Sequence, residues 1–158
     1  MVRASPTPPT FGAVVFDGSR RPETFRAVVH PETIELWKTK LNQEQVIGQA
    51  ELFPVLVARL TWPDWFKGRR VINFIDNESA RLGLVKAYSP VLPSLDIISR
   101  CLCWDHVFHS TCWFARVPSD SNIGDSPSRM DASFLVGHFG AKVVKPVMPE
   151  GFRISDCL

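Results

Sequence analysis

Two short apolar runs, each closed by an aspartate, constrain this chain more than any other feature. Gly12-Ala13-Val14-Val15-Phe16 runs into Asp17, and Val71-Ile72-Asn73-Phe74-Ile75 runs into Asp76. Runs of this length, without polar alternation, read as strands buried on both faces of a sheet. A carboxylate at the end of such a strand is costly unless it is paired or holds a cation. Two further acids stand in comparable places. Glu51 lies at the start of an otherwise apolar helical segment, and Asp125 opens a Ser/Pro-rich stretch after another strand-like run. Carboxylates that converge repel one another, and hard divalent cations relieve that repulsion. One such acid would be an ordinary cap or strand-end residue. The order Asp17, Glu51, Asp76, Asp125 on successive elements points to a metal site.

The rest of the chain supplies the frame. Residues 11–17 form a first strand, and Gly18-Ser19-Arg20-Arg21-Pro22 a turn. Residues 23–30 alternate well enough for a second strand, and residues 33–39 alternate more cleanly and read as a third. The three make an antiparallel meander. A helix starts near Gly48 or Gln49, with Pro54 close to its first turns, and runs to about Trp62. Val71–Ile75 is the next strand. Residues 78–88 form an amphipathic helix, broken by Pro90 and Pro93. Ser94 caps a longer helix from about Leu95 to Phe108. Thr111–Val117 is the last core strand, and Ile123–Met130 a short helix or turn. Ala141-Lys142-Val143-Val144-Lys145-Pro146 reads as an added edge strand. The order implies an α/β fold with a mixed sheet flanked by helices.

At 158 residues the chain has room for one sizeable core. Its net charge of +2 is too small for bulk attraction to a polyanion, so any nucleic-acid footprint must be local. Lys67, Arg69 and Arg70 cluster before a strand and are candidates for phosphate contact. No run approaches the roughly 18 apolar residues of a membrane span. Residues 1–10 carry prolines but no apolar export segment, and read as a flexible leader. An intracellular place, cytoplasmic or nuclear, follows as the expectation. The cysteines are then expected to be reduced thiols. Cys101, Cys103, His106, His109 and Cys112 fit no common zinc spacing, and no structural zinc is expected. Cys157, His30 and His138 stand apart.

These residues carry a resemblance. Phe16-Asp17-Gly18-Ser19 resembles the first-strand motif of type 1 ribonuclease H domains. Gln49-Ala50-Glu51-Leu52 resembles that family's helix-borne glutamate, and Phe74-Ile75-Asp76-Asn77 its later strand-end aspartate. The stretch Val117 to Arg129, with Asn122, Asp125 and Ser128-Arg129, is similar to the closing motif of the versions attached to retrotransposon reverse transcriptases. The resemblance covers about residues 11–130, leaving 131–158 as an extension of unassigned role. It implies a ribonuclease H-like five-stranded mixed sheet, three antiparallel strands then two parallel, flanked by helices. Many members carry a histidine in the loop before the last aspartate; here that loop has Ser119, Asp120 and Ser121.

The resemblance also implies a chemistry: metal-dependent endonucleolytic hydrolysis of the RNA strand of an RNA–DNA hybrid. Two Mg²⁺ ions, for which Mn²⁺ is expected to substitute, sit about 4 Å apart in such sites and serve an attacking water and a leaving oxygen. Asp17, Glu51, Asp76 and Asp125 are the expected ligands and catalytic residues, with Asp17 bridging. Gly18, Ser19, Asn77, Asn122 and Arg129 are expected to touch nucleic acid, with Arg20, Arg21, Lys86 and Arg116 as further phosphate candidates. A polymerase domain is an expected partner. The alternative is a scaffold or nucleic-acid-binding module that no longer cuts. Integrase and transposase cores place their glutamate last, whereas here it comes second.

Overall fold

The fold was read from a computed structural model that describes residues 7–42 and 46–149. In chain order the elements are β1 (Thr10–Val15), β2 (Glu23–Val28), α1 (Pro31–Leu41), α2 (Ile47–Thr61), α3 (Pro63–Phe66) and β3 (Arg70–Ile75). Then follow α4 (Glu78–Lys86), α5 (Leu92–Val107), β4 (Thr111–Arg116), α6 (Asp125–Ser128), α7 (Ser133–Phe139) and β5 (Lys142–Val143). The class is α/β. The expected single five-stranded sheet is not formed, and the architecture is not clearly ribonuclease H-like. One sheet has three strands in the order β1-β2-β5, and a separate sheet pairs β3 with β4. β1 and β2 are antiparallel; β2–β5 and β3–β4 are parallel.

The first reason is local. Residues 33–39, expected as a third strand, belong to α1. Pro31 sits in its first turn, the His30 ring accepts from the Glu32 N–H, and Lys38 and Lys40 lie in its last turn. These are helix-end signals of the kind that fit the backbone dipole. Ile34 and Trp37, three residues apart, are the buried pair, which is helical spacing and not a strand's alternation. The meander therefore stops at two strands, and β5 later takes the free edge of β2 in parallel.

The second reason is direction. Phe11, early in β1, packs edge-on against Phe53 in the first half of α2, with ring centroids 5.3 Å apart. Phe25, which pairs with Ala13, packs against Trp62 just past the end of α2 at 4.8 Å. β1 thus runs in the same sense as α2. α2 leads through α3 into the start of β3, while its own first turn lies near the end of β3 (see below). β1 consequently runs against β3. Gly12 allows α6 to pack directly on β1: a Cβ there would lie 2.4 Å from the carbonyl carbon of Pro127.

The core centres on α2. Leu52, Phe53, Leu56 and Val57 are all buried, meeting Phe11, Phe25 and Trp37 on one side and Ile97, Ile98 and Cys101 of α5 on the other. Each fully buried large apolar side chain here stabilises by roughly 1.5–3 kcal/mol. α2 starts at Ile47, within two residues of the expected start, and Pro54 lies in its interior, where it has no N–H to offer the carbonyl one turn back. α5 starts at Leu92. Ser94 is therefore not its cap; it is buried and accepts a 2.8 Å hydrogen bond from Gln49 Nε2.

Candidate functional site

The four acids do not share one cleft. Asp17 lies just beyond β1, where Gly18 turns the chain with φ +75°. The Asp17 carboxylate is closed by its own turn and by two arginines. Oδ1 accepts from the Ser19 N–H (2.9 Å), the Ser19 hydroxyl (2.8 Å) and the Arg20 N–H (3.0 Å). Oδ2 accepts from Arg20 Nε (3.1 Å) and Arg69 Nη1 (3.0 Å). The Arg69 guanidinium first, and then the Ser19 N–H, hold this carboxyl well below the usual carboxylate range. Arg20 is itself fixed over the Trp65 ring at 4.3 Å and donates to the Asp64 carbonyl. Gly18 and Ser19, expected to touch nucleic acid, here build the Asp17 turn.

Arg69 immediately precedes β3, so Asp17 sits at the start of that strand. Asp76 sits past its end. The five steps from Arg70 to Ile75 span about 16 Å. Burial first, and then the negative charge of Asp76, push the Glu51 carboxyl above its ordinary value. Glu51 is in the first turns of α2, and the ten residues from it to Thr61 span about 15 Å of helix. Both rulers place Asp17 a full element's length from the Glu51–Asp76 pair. The expected bridging role of Asp17 does not fit this placement.

The closing motif joins the Asp76 end in part. Asn122 Nδ2 donates to Asp76 Oδ2 at 3.0 Å, and the Asp125 N–H donates to the Asn122 carbonyl at 3.0 Å. The Asp125 carboxylate instead faces Arg129, with Oδ2 2.9 Å from Nε. Both line an open cavity of about 520 Å³ with Asn122, Ser126 and Phe134. Asn77 is spent on helix capping: its Oδ1 accepts from the Ala80 N–H at 2.9 Å. Such caps contribute about 1 kcal/mol. Among the described residues, no three His, Cys, Asp or Glu side chains gather as ligands for a metal ion.

No family model, curated protein or solved structure matches this chain. A two-ion site bridged by Asp17 does not fit, because Asp17 is distant and filled by arginine. Glu51 and Asp76 are the two acids of the set whose like charges act on each other, and they are the residues that would hold a single divalent cation. Two oxygen ligands of like charge, one of them half-buried, are what such an ion relieves, and Mg²⁺ commonly keeps several waters beside one or two carboxylates.

One polar cluster escaped the sequence reading. Arg59 of α2 is fully buried, and its guanidinium grips Asp105 of α5 through Nε–Oδ1 and Nη2–Oδ2, both 2.8 Å. Nη1 donates to the Val55 carbonyl at 2.9 Å, and Nη2 lies 3.2 Å from Cys112 Sγ. The ring of Phe66 lies 5.2 Å from the guanidinium carbon. The available signal was spacing: Leu52, Leu56 and Arg59 fall on one helix face, which makes the arginine part of an apolar stripe. Cys101 is buried beside this pair, and burial pushes its thiol up to about 12. Cys101, Cys103 and Cys112 are free thiols, and His106 and His109 are exposed. Cys157 lies outside the described residues. No helix among those residues is long and apolar enough to cross a membrane.

Proposed function

We propose that this chain is a metal-dependent endonuclease acting on the RNA strand of RNA–DNA hybrids, with Glu51 and Asp76 as its metal-holding pair. What supports the reading is the hydrogen bond that ties Asn122 to Asp76, together with the like charge of Asp76, which acts on Glu51 after burial has already raised its proton affinity. A cation bound there would lower the pKa of a bound water and stabilise a leaving oxygen. Asn122 orients Asp76 through its carboxamide. Substrate choice would rest on the 2′-hydroxyls that an RNA strand displays in its wide minor groove. The sequence likeness to reverse-transcriptase-linked domains makes a polymerase domain the natural partner.

A second reading, a nucleic-acid-binding module that does not cut, is favoured by one observation: two arginines close the carboxylate of Asp17. A cleavage assay separates the two. A labelled hybrid duplex is incubated with Mg²⁺ or Mn²⁺, with chelator and all-DNA duplex as controls. Cleavage lost in Glu51→Gln and Asp76→Asn, with melting unchanged or raised, supports the nuclease. Metal-independent binding without cleavage in the parent protein supports the module. Asp17→Asn is expected to lower stability, since it weakens two ion pairs; loss of cleavage by that variant at unchanged stability would restore Asp17 to the catalytic set.

A further inference from the structure

α4 packs on one face of the β3–β4 sheet, where Val71, Ile75, Cys112 and Phe114 join the core and Arg59 of α2 reaches Cys112. Among the described residues the opposite face is left open. Ile72 is 60% exposed, Phe74 64% and Trp113 72%. Trp113 lies directly across the ladder from Ile72, and Phe74 one step along beside Ala115. Parallel strands are almost always covered on both faces, so this open apolar surface marks a place where something docks.

The chemistry at its edge selects the partner. Arg70 follows the same alternation as Ile72 and Phe74 and is exposed at the head of the face, one turn after exposed Lys67. Neither makes an ion pair among the described residues. The face positions on the two strands, Arg70, Ile72, Phe74, Thr111, Trp113 and Ala115, include no acid. Two copies packed through this same face would bury Arg70 with no carboxylate on either face to meet it. Nucleic acid meets both demands: bases stack on flat aromatic rings, and phosphates pair with the cations. A duplex keeps its bases stacked on each other, so only an unpaired strand can use the rings.

We propose that the β3–β4 face is a stacking platform for single-stranded nucleic acid, with Trp113 and Phe74 as base supports and Arg70 and Lys67 as phosphate contacts. This rests on the nucleic-acid reading above but not on the Glu51–Asp76 pair. It would let the chain hold an unpaired flank of its target.

The test is anisotropy of a labelled mixed-sequence single-stranded RNA of 12 nucleotides, with hybrid duplex binding and sedimentation measured alongside. Trp113→Ala is expected to weaken single-strand binding about tenfold or more, while Trp113→Phe keeps most of it. Arg70→Ser should weaken binding and flatten its salt dependence by about 0.7 in log–log slope. Because Trp113 is exposed, both of its variants should melt like the parent. Parental affinity in Trp113→Ala overturns the platform even if hybrid binding persists. A parent that binds hybrid but no single strand overturns it alone; a parent that binds no nucleic acid overturns the functional reading too. A dimer that Trp113→Ala dissociates, without single-strand binding, assigns the face to self-association instead.

Discussion

The buried Arg59–Asp105 pair offers the sharpest energetic test. Arg59 has no exposed side-chain surface, and Asp105 keeps 11%. Asp105→Ala removes both 2.8 Å charge-assisted bonds and leaves the guanidinium with the Val55 carbonyl, Cys112 and the Phe66 ring. Breaking one side of a buried pair costs about 3–5 kcal/mol. The residual exposure of Asp105 lets water reach the arginine, so the lower half of that range is expected, about 3–4 kcal/mol. Against a typical total stability of about 5–15 kcal/mol this is a large fraction. At about 2–4 °C per kcal/mol for a chain of this size, the melting point should fall by roughly 6–16 °C. Urea unfolding followed by tryptophan fluorescence gives the free energy directly. The double variant Arg59→Met/Asp105→Leu is the control. Replacing a buried pair by apolar groups of similar volume is often neutral or stabilising, so the double variant should recover most of the loss. An Asp105→Ala cost under about 1 kcal/mol would refute the reasoning, as would a double variant as unstable as the sum of its parts.

Glu51 holds its proton in the native state above the ordinary value of 4.5, so the parent should lose stability as pH rises through the window above 4.5. Glu51→Gln should flatten that slope and melt higher than the parent at pH 7 to 8; coincident melting curves across pH would contradict the burial and Asp76 repulsion assigned to Glu51. Gly12→Ala drives a Cβ into the Pro127–Ser128 backbone and should cost about 1–3 kcal/mol or more. Gly48→Ala, with nothing within 4 Å of its Cβ, should be neutral or stabilise α2 by up to about 1 kcal/mol; equal urea midpoints for the two variants would show that α6 does not seat on β1 as described.

Much of the local structure was legible from residue order. The apolar runs before Asp17 and Asp76, the Thr111–Val117 run and the α4 pattern are strands and a helix within a residue or two of the expected bounds, because burial period and turn chemistry are local properties. Residues 33–39 misled because Ile34 and Leu36 satisfy a strand's alternation, while Ile34 and Trp37 satisfy a helix. Pro31, His30 and the charges at the two ends tip the balance towards the helix. The gathering of the acids was beyond the sequence for a different reason. A motif states which element carries a carboxylate, but convergence depends on which way each strand runs past its neighbour. β1 runs with α2 and against β3, so Asp17 ends beside Arg69 while Asp76 meets Asn122 at the other end. The same holds for Arg59 and Asp105: each is a charged residue on a helix until α2 and α5 pack, and only that packing turns two desolvation costs into one pair. Residue types determined the strands, the helices and the supply of carboxylates; chain direction and helix packing, which no local pattern encodes, decided which charges meet.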